Sequence, residues 1–245
     1  MKILSAENLI KRYSGRTVVN EVSYDVSEGE IVGLLGRNGA GKTTSFRITM
    51  GLITPEGGKV EFAGDDVTKL PMFKRAQRGM GYLAQEPSIF RRLSVQDNLK
   101  AILETRPMSR AAQTKRASEL MDRFGLTKVA KQEARLCSGG EKRKLEIARA
   151  LISEPTLILL DEPFSGVDPV AVEQLQDEIR RLRDEHHIAM LITDHNVQRT
   201  LEIVDRAYVI FEGKVFASGT PKEIINNEQV RKLYLGSTFK GDEFD

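Results

Sequence analysis

The stretch Gly36-Arg37-Asn38-Gly39-Ala40-Gly41-Lys42-Thr43 decides the fold of this chain. It fits the phosphate-loop pattern of glycine, four free positions, glycine, lysine and a hydroxyl residue. The apolar segment 30–35 precedes it, and a helix is predicted to begin at about Lys42. Glycines let backbone N–H groups turn toward phosphates, and the helix adds its positive end. The stretch therefore predicts nucleotide binding, with the Lys42 charge on the phosphates and the Thr43 hydroxyl on Mg²⁺.

Two carboxylates follow a second apolar run, Leu157-Ile158-Leu159-Leu160-Asp161-Glu162. They stand at the carboxyl end of a predicted buried strand, which is the edge where open α/β sheets bind ligands. Asp161 is expected to hold Mg²⁺, and Glu162 to orient or partly deprotonate the attacking water. The alternative is a simple Asp-Glu-Pro turn, which the presence of a phosphate loop makes less favoured.

The order of segments predicts an α/β fold. Near-continuous apolar runs such as 157–160 and 188–193 are typical of a parallel sheet covered on both faces. Alternating segments near the start predict an antiparallel set of strands, and later segments with helical periodicity predict an inserted helical lobe. The expected division is a nucleotide-binding core, 1–86 and 156–245, and a helical subdomain, 87–155. The predicted strands cover 3–9, 17–26 and 59–62, and the predicted helices 95–104, 109–124, 140–152, 169–185 and 196–204, with a short one opened by Thr220-Pro221.

Composition narrows the classes of protein that fit. The chain has 245 residues, 40% hydrophobic and 29% charged, which excludes disorder along its whole length. Lysine and arginine number 37 against 35 acidic residues, so the net charge of +2 makes no nucleic-acid footprint. Cys137 is the single cysteine and permits no intrachain disulfide. Without an apolar run of spanning length or a secretory start, the expected setting is the cytoplasm, with any membrane role exercised through a partner.

Further motifs, in order along nearly the whole chain, resemble the ATP-binding subunits of ABC transporters. Tyr13 is similar to the aromatic residue that stacks on adenine, Gln85 to the glutamine loop, and His195 to the switch histidine. The run Ser138-Gly139-Gly140-Glu141 is similar to the signature sequence, and Ser165-Gly166-Val167-Asp168 to the loop after the second carboxylate. Taken singly, Ser138 could be an ordinary helix cap, Tyr13 a half-buried strand residue, and His195 a solvated loop residue.

The resemblance implies ATP and Mg²⁺ as bound groups and a head-to-tail homodimer. One chain's signature would then close over the ATP held by the other chain. The implied catalytic residues are Glu162, His195, Gln85 and Lys42, and the implied metal ligands are Thr43, Gln85 and Asp161. The implied ATP-binding residues are Tyr13, Gly36, Arg37, Asn38, Gly39, Ala40, Gly41, Lys42, Thr43, Thr44, Ser138, Gly139, Gly140 and Glu141.

Longer stretches, 81–95, 161–169, 192–197 and 230–236, are more specifically similar to the ATPases of lipopolysaccharide exporters. That resemblance implies two copies driving membrane subunits from the cytoplasmic face of the inner membrane. Arg37, Ala84 and Cys137 depart from the residues common at these positions, and none of them removes a ligand or a required glycine. The alternatives are the ATPase of a branched-chain amino acid importer and a soluble ABC protein acting on nucleic acid or ribosomes.

The segment 88–94 follows the glutamine loop, where the family forms its groove for membrane subunits. Phe90 is the expected apolar anchor, with Arg91 and Arg92 as polar clamps. The alternative places Phe90 in the core of the helical lobe and leaves both arginines solvated.

Overall fold

Two sheets organise the chain, a four-stranded antiparallel sheet and a six-stranded sheet that is mainly parallel. The computed structural model describes residues 1–86, 88–166 and 168–235, with only the backbone of Leu235. Pro87, Val167 and Gly236, which belong to the stretches discussed above, lie outside the described residues. The α/β class with an antiparallel N-terminal sheet is confirmed.

The antiparallel sheet has the order β2-β1-β4-β5. Its strands are β1, Lys2–Tyr13; β2, Arg16–Ser27; β4, Gly57–Phe62; and β5, Asp65–Asp66. The turn Ser14-Gly15 joins β1 to β2 with positive φ at both residues, 47° and 80°, which matches the right-handed twist of a hairpin. Leu4, Ala6 and, beyond a shift in the strand register, Leu9 are buried, so the sheet covers the other layer with one face.

The second sheet has the order β10-β9-β3-β8-β7-β6. Its parallel strands are β3, Ile31–Leu35; β6, Met80–Leu83; β7, Leu157–Asp161; β8, Ala189–Thr193; and β9, Arg206–Phe211, and β10, Lys214–Gly219, runs antiparallel at the edge. Every residue of β3, β7 and β8 is buried, as their apolar runs predict. Because these strands are parallel, the loops that follow them meet at one edge.

Nine α-helices lie among the described residues: α1, Lys42–Met50; α2, Met72–Gln77; α3, Val95–Leu103; α4, Arg110–Arg123; α5, Gly139–Ala150; α6, Pro169–His186; α7, Val197–Leu201; α8, Pro221–Asn226; and α9, Glu228–Val230. Short 3₁₀ turns cover Thr127–Val129, Ala134–Leu136 and Leu151–Ser153, and a π-turn covers Arg231–Leu235. The helix predicted over 196–204 is shorter than expected because Glu202 ends it. In residues 1–86, 88–166 and 168–235, none of the helices combines the length and apolar character that crossing a bilayer requires.

Arg75 of α2 closes the C-terminal end of α1. The side chain is 1% exposed, and its guanidinium donates hydrogen bonds to the carbonyl oxygens of Ile48 (2.9 Å), Thr49 (2.6 Å), Leu70 (2.9 Å) and Thr68 (3.1 Å). The last carbonyls of a helix lack partners within it, and a cation there also opposes the helix dipole. Arg75 therefore fixes the far end of the helix that begins at the phosphate loop.

Candidate active site

The phosphate loop runs from the end of β3 into α1, and its glycines are required by the backbone. Gly41 has φ 106°, and a Cβ there would lie 2.6 Å from the carbonyl oxygen of Val18. Gly36 has φ 150°, and a Cβ there would collide with the carbonyl oxygen of Ile210. No other residue type fits either position without displacing backbone. The tip residues Arg37, Asn38 and Gly39 are exposed.

An open cleft of about 1080 Å³ lies at this loop. Its walls come from the loop, from the start of β2, from the β9–β10 turn, from the segment after β8 and from the π-turn Arg231–Leu235. The lining residues are Arg16, Thr17, Val18, Gly36, Arg37, Asn38, Gly39, Ala40, His195, Val197, Phe211, Glu212, Gly213 and Tyr234. The cleft is large enough for a nucleotide. It stands at the carboxyl end of the parallel strands, where the sequence predicts it.

Lys42 lies under the loop and is only 4% exposed. Its Nζ donates to the carbonyl oxygens of Gly36 (2.5 Å) and Arg37 (3.2 Å), so the lysine holds the loop curved. Burial lowers the pKa of Lys42, and the negative charges of Glu162, Asp194 and Asp161 act against this fall. The ammonium is thus a buried cation facing carboxylates. Thr43 and Thr44 follow it in the first turn of α1, and both are half-buried.

Asp161 ends β7 and is 6% exposed. Burial, with the charge of Glu162 beside it, raises the pKa of Asp161, while a hydrogen bond from Tyr82 opposes the rise. Asp194 after β8 is fully buried, and its carboxylate accepts the N–H groups of Asn196 (2.8 Å) and Phe164 (3.3 Å). Burial raises the pKa of Asp194 as well. Burial therefore disfavours the charged forms of both Asp161 and Asp194.

Glu162 adopts a left-handed backbone conformation with φ 44°, which is uncommon for a residue other than glycine. Its N–H donates to the carbonyl oxygen of Thr193 at 2.7 Å, so β8 holds the backbone in place. The Oε2 atom accepts a hydrogen bond from Nε2 of Gln85 at 2.8 Å and lies 3.4 Å from Nδ1 of His195. Strained backbone of this kind concentrates at functional sites. The loops after β6, β7 and β8 thus bring Gln85, Glu162 and His195 together.

The signature residues stand apart from this cleft. Ser138 is the N-cap of α5, and its hydroxyl accepts the N–H of Glu141 at 3.2 Å, while the carboxylate of Glu141 accepts the N–H of Ser138 at 2.7 Å. This capping box explains the glutamate at the fourth position of the motif. Ser138 and Gly139 are exposed. Among the described residues, none of 138–141 lines the cleft at the phosphate loop.

Tyr13 and Tyr234 differ from what the sequence indicates. Tyr13 ends β1 with 45% exposure, beneath the Nζ of Lys11 at 5.6 Å from the ring centre, and among the described residues it does not line the cleft. Adenine stacking by Tyr13 stays a prediction. Tyr234 was not singled out from the sequence, yet its hydroxyl accepts the N–H of Gly36 at 2.8 Å, and burial raises its pKa to about 12. An isolated tyrosine after a short helix offers no sequence signal for that contact.

The segment after the glutamine loop presents exposed side chains. Phe90 is 44% exposed, so the alternative that places it in the core of the helical lobe is wrong. Arg91 and Arg92 are exposed beside it. Asn98, fully buried, receives the N–H of Phe90 at 2.8 Å and donates to its carbonyl oxygen at 3.0 Å. The guanidinium of Arg149 lies 4.7 Å from the Phe90 ring centre. The backbone is thus fixed while the ring faces outward.

A strand, a glycine loop around a buried lysine, a helix and two carboxylates at the end of β7, which β8 separates from β3, define a P-loop nucleoside triphosphatase. The sequence profile of the family described as "ABC transporter" matches residues 19–165. The chain belongs to the ABC transporter family, as an ATP-binding cassette that binds nucleotide and hydrolyses ATP.

Curated relatives match over nearly the full length. The "lipopolysaccharide export system ATP-binding protein LptB" of Haemophilus influenzae and that of Escherichia coli (strain K12) are each 50% identical over 241 residues, 98% of this chain and 100% of theirs. A solved ATP-binding cassette of an ABC transporter in its ADP conformation superposes with a TM-score of 0.86 at 25% identity, covering 97% of this chain and 100% of that one. A nucleotide-free cassette gives 0.85 at 26% identity, with the same coverage.

A second profile, described as "Branched-chain amino acid ATP-binding cassette transporter", matches residues 214–240. Its range begins with β10 and extends past the last described residue.

Proposed function

We propose that this chain is the ATP-hydrolysing subunit of a lipopolysaccharide exporter. The observation that carries the proposal is the 50% identity, over 98% of this chain, to proteins named for lipopolysaccharide export. Its place would be the cytoplasmic face of the inner membrane, held there by integral membrane subunits.

Nucleotide binding falls to the phosphate loop. The first N–H groups of α1 and the Lys42 ammonium would meet the β- and γ-phosphates, with the loop residues 36–44 around them. Lys42 exchanges its two carbonyl partners, at Gly36 and Arg37, for phosphate oxygens. Charge-assisted hydrogen bonds are stronger than neutral ones, so this exchange favours the bound state.

Hydrolysis needs a group that accepts a hydrogen bond or a proton from the attacking water. Glu162 is that group, since its Oε2 lies beside Gln85 and His195 at the carboxyl ends of the parallel strands. Gln85 and His195 orient the carboxylate in the nucleotide-free chain, and both are then near enough to meet the γ-phosphate or the water. The left-handed backbone of Glu162 aims its side chain into this position.

The donors near the phosphate loop suit Mg²⁺. Asp161, Glu162 and Asp194 bring three carboxylates toward one buried cation, Lys42, and burial has raised the pKa of Asp161 and of Asp194. A hard divalent cation prefers oxygen donors of this kind. Thr43, Asp161 and the amide oxygen of Gln85 would hold it, and the bound ion would neutralise charge on the phosphate oxygens.

A head-to-tail homodimer would complete the site. The exposed start of α5, with Ser138, Gly139 and Gly140, offers N–H groups and a helix dipole to an anion, yet does not line the chain's own cleft. A second copy can bring these donors to the ATP of the first. ATP would then join the two chains, since each triphosphate is satisfied only by donors from both.

Closure of the dimer would reach the membrane through Phe90. Its ring is exposed on a rigid backbone, and Arg91 and Arg92 flank it. An aromatic residue with adjacent arginines is the composition of an interface hot spot. No role for nucleic acid is expected.

A branched-chain amino acid importer is the second candidate, favoured by the profile match over residues 214–240. That match covers a short C-terminal part, whereas the lipopolysaccharide-export relatives cover almost all of the chain. The two functions differ in their membrane subunits, so the partners that copurify with the chain distinguish them.

A complementation experiment tests whether the chain serves in lipopolysaccharide export. An Escherichia coli strain depleted of its own lipopolysaccharide export ATP-binding protein should grow when this chain is expressed. Growth should fail with Glu162→Gln, and with Phe90→Ala. Copurification with subunits of an amino acid importer, together with failure to complement, would refute export.

Glu162→Gln tests the catalytic assignment in vitro. The amide keeps the size of the side chain but loses its basicity, so turnover should fall by about 100-fold or more while ATP still binds. The variant should accumulate as an ATP-bound dimer in light scattering. Wild-type turnover, or a monomer at saturating ATP, would contradict the mechanism.

Phe90→Ala separates docking from folding. The exposed ring contributes little to the core, so the isolated variant should melt within about 2 °C of wild type and bind ATP normally. Loss of the ring should cost about 2 kcal/mol or more of partner binding, so the membrane subunits should no longer copurify. A large fall in melting temperature with partner binding retained would refute the docking role.

A further inference from the structure

Three side chains of α5, which we call the α5 clamp, grip the backbone on both sides of Gln85. The clamp consists of Arg143, Glu146 and Arg149. The Nη1 atom of Arg143 donates to the carbonyl oxygen of Ala84 at 3.1 Å, on the N-terminal side of Gln85. On the other side, Oε1 of Glu146 accepts the N–H of Ser88 at 2.9 Å, and Nη1 of Arg149 donates to the Ser88 carbonyl oxygen at 2.5 Å.

The clamp is itself braced and buried. Nη1 of Arg143 also donates to Oε2 of Glu146 at 2.9 Å, and their side chains are only 12% and 3% exposed. Glu146 thereby uses both carboxylate oxygens, one for the ion pair and one for Ser88. A buried pair of this kind is a poor source of stability because desolvation offsets its attraction. We therefore expect the pair to serve mainly to fix the backbone at Ala84 and Ser88.

The same helix carries the signature at its first turn and touches Phe90 through Arg149. A helix moves as a rigid element, so when Ser138 at the start of α5 is displaced, the clamp residues move with it. The clamp passes that displacement to Ala84 and Ser88, and hence to Gln85, whose amide nitrogen lies 2.8 Å from Oε2 of Glu162.

We propose that the Arg143–Glu146 pair and Arg149 are positioning residues that make the place of Gln85 at Glu162 depend on the place of the signature helix. The clamp couples capture of the neighbouring chain's ATP to alignment of the chain's own water-activating group. This inference rests on the roles proposed above for Gln85 and Glu162, and it adds the residues that control them.

Glu146→Gln is the mild test. An amide has one acceptor oxygen, so it cannot serve both Arg143 and Ser88. We expect kcat to fall about tenfold while KM for ATP stays within about twofold, because the phosphate loop is untouched. Lys144→Gln, one residue beyond Arg143 on the same helix, is the matched control and should keep both constants within about twofold of wild type.

A double-mutant cycle with Gln85→Ala separates positioning from general destabilisation. If the clamp acts through Gln85, then Glu146→Gln should change kcat by less than about twofold once Gln85 is alanine. A further tenfold loss in that background would overturn the proposal while leaving the role of Gln85 intact. Wild-type turnover of Gln85→Ala alone would instead refute the role of Gln85, and the clamp would fall with it.

Exchange of the pair gives a second readout. Arg143→Glu with Glu146→Arg restores the ion pair three residues apart on the helix, yet offers no donor to Ala84 and no acceptor to Ser88. The melting temperature should recover relative to either single substitution, whereas kcat should stay low. Recovery of kcat together with stability would mean that the pair serves only the helix, and would overturn the proposal.

Discussion

Arg75→Met should weaken the whole fold through the far end of the phosphate-loop helix. Methionine fills similar space but removes the guanidinium donor from four carbonyl oxygens. Two of them, at Ile48 and Thr49, are bonded at buried positions. The Ile48 oxygen keeps the N–H of Gly51 at 3.0 Å, whereas the Thr49 oxygen has no second donor among the described residues, and an orphaned buried acceptor costs about 1–3 kcal/mol. Those at Thr68 and Leu70 are only partly buried, so water can replace the guanidinium there.

The charge of Arg75 also carries its own cost of burial, which lowers its pKa to about 10, and the substitution removes that cost. The balance is a loss of about 2 kcal/mol in the free energy of unfolding, or about 4–8 °C in melting temperature for a chain of this size.

Chemical denaturation and thermal melting measure this loss, with Arg78→Met as the control. Arg78 lies three residues later and has a side chain 41% exposed. Among the described residues, its side chain makes only long contacts, with Lys74 (3.4 Å) and Asp65 (3.6 Å). Its replacement should change stability by less than about 0.5 kcal/mol. A loss below about 1 kcal/mol for Arg75→Met, or equal losses for the two variants, would refute the capping argument.

Two further predictions concern the charges at the site. Lys42→Ala removes the buried cation that meets the phosphates, so ATP affinity should fall about tenfold to 100-fold in a nucleotide titration, and unchanged affinity would contradict the assignment. Asp161→Asn should stabilise the nucleotide-free chain at pH 7 by about 0.5–1 kcal/mol while impairing hydrolysis. Burial raises the pKa of Asp161, so the folded wild type takes up a proton at higher pH than the unfolded chain and gains stability as the pH falls through that pKa. The asparagine has no such proton, so its advantage should shrink in acid, and an advantage that widens would refute this reasoning.

The sequence predicts the parts of the fold that are marked by continuous patterns. The strands β3, β7 and β8 are apolar throughout because both their faces are covered, and such runs are legible without any alignment. Helix starts can be predicted from the local sequence, because the N-cap residues Ser94, Ser109 and Thr220 accept hydrogen bonds from N–H groups of their own first turns.

The edge strands β6 and β10, and β9 beside β10, were not predicted. β6 has only four residues, too few for a period. The β9–β10 hairpin did carry a signal in Glu212-Gly213, whose positive φ values of 47° and 77° form the tight turn. Glutamate is not among the residues that such a turn prefers, which masks the signal.

The contacts that shape the site are less predictable still. Glu146 meets Ser88 across 58 positions of sequence and Arg149 meets it across 61, and neither separation leaves a periodic trace. Amphipathic spacing places these residues on a helix and says nothing about the loop they grip. The division at 87–155 and the roles of the individual site residues stay predictions.

The order of strands in the parallel sheet also has a consequence for synthesis. β3, which leads into the phosphate loop, lies between β9 and β8, and both are made more than 150 residues later. On the ribosome, β3 has no hydrogen-bonded neighbour until β8 has left the exit tunnel, and it lacks the second until residues up to Phe211 have followed. A nascent chain therefore exposes an apolar strand with two unpaired edges while the residues between β3 and β8 are made, which is the condition under which chains aggregate or recruit chaperones. ATP can assist folding only after the last parallel strand, β9, has emerged and paired with β3.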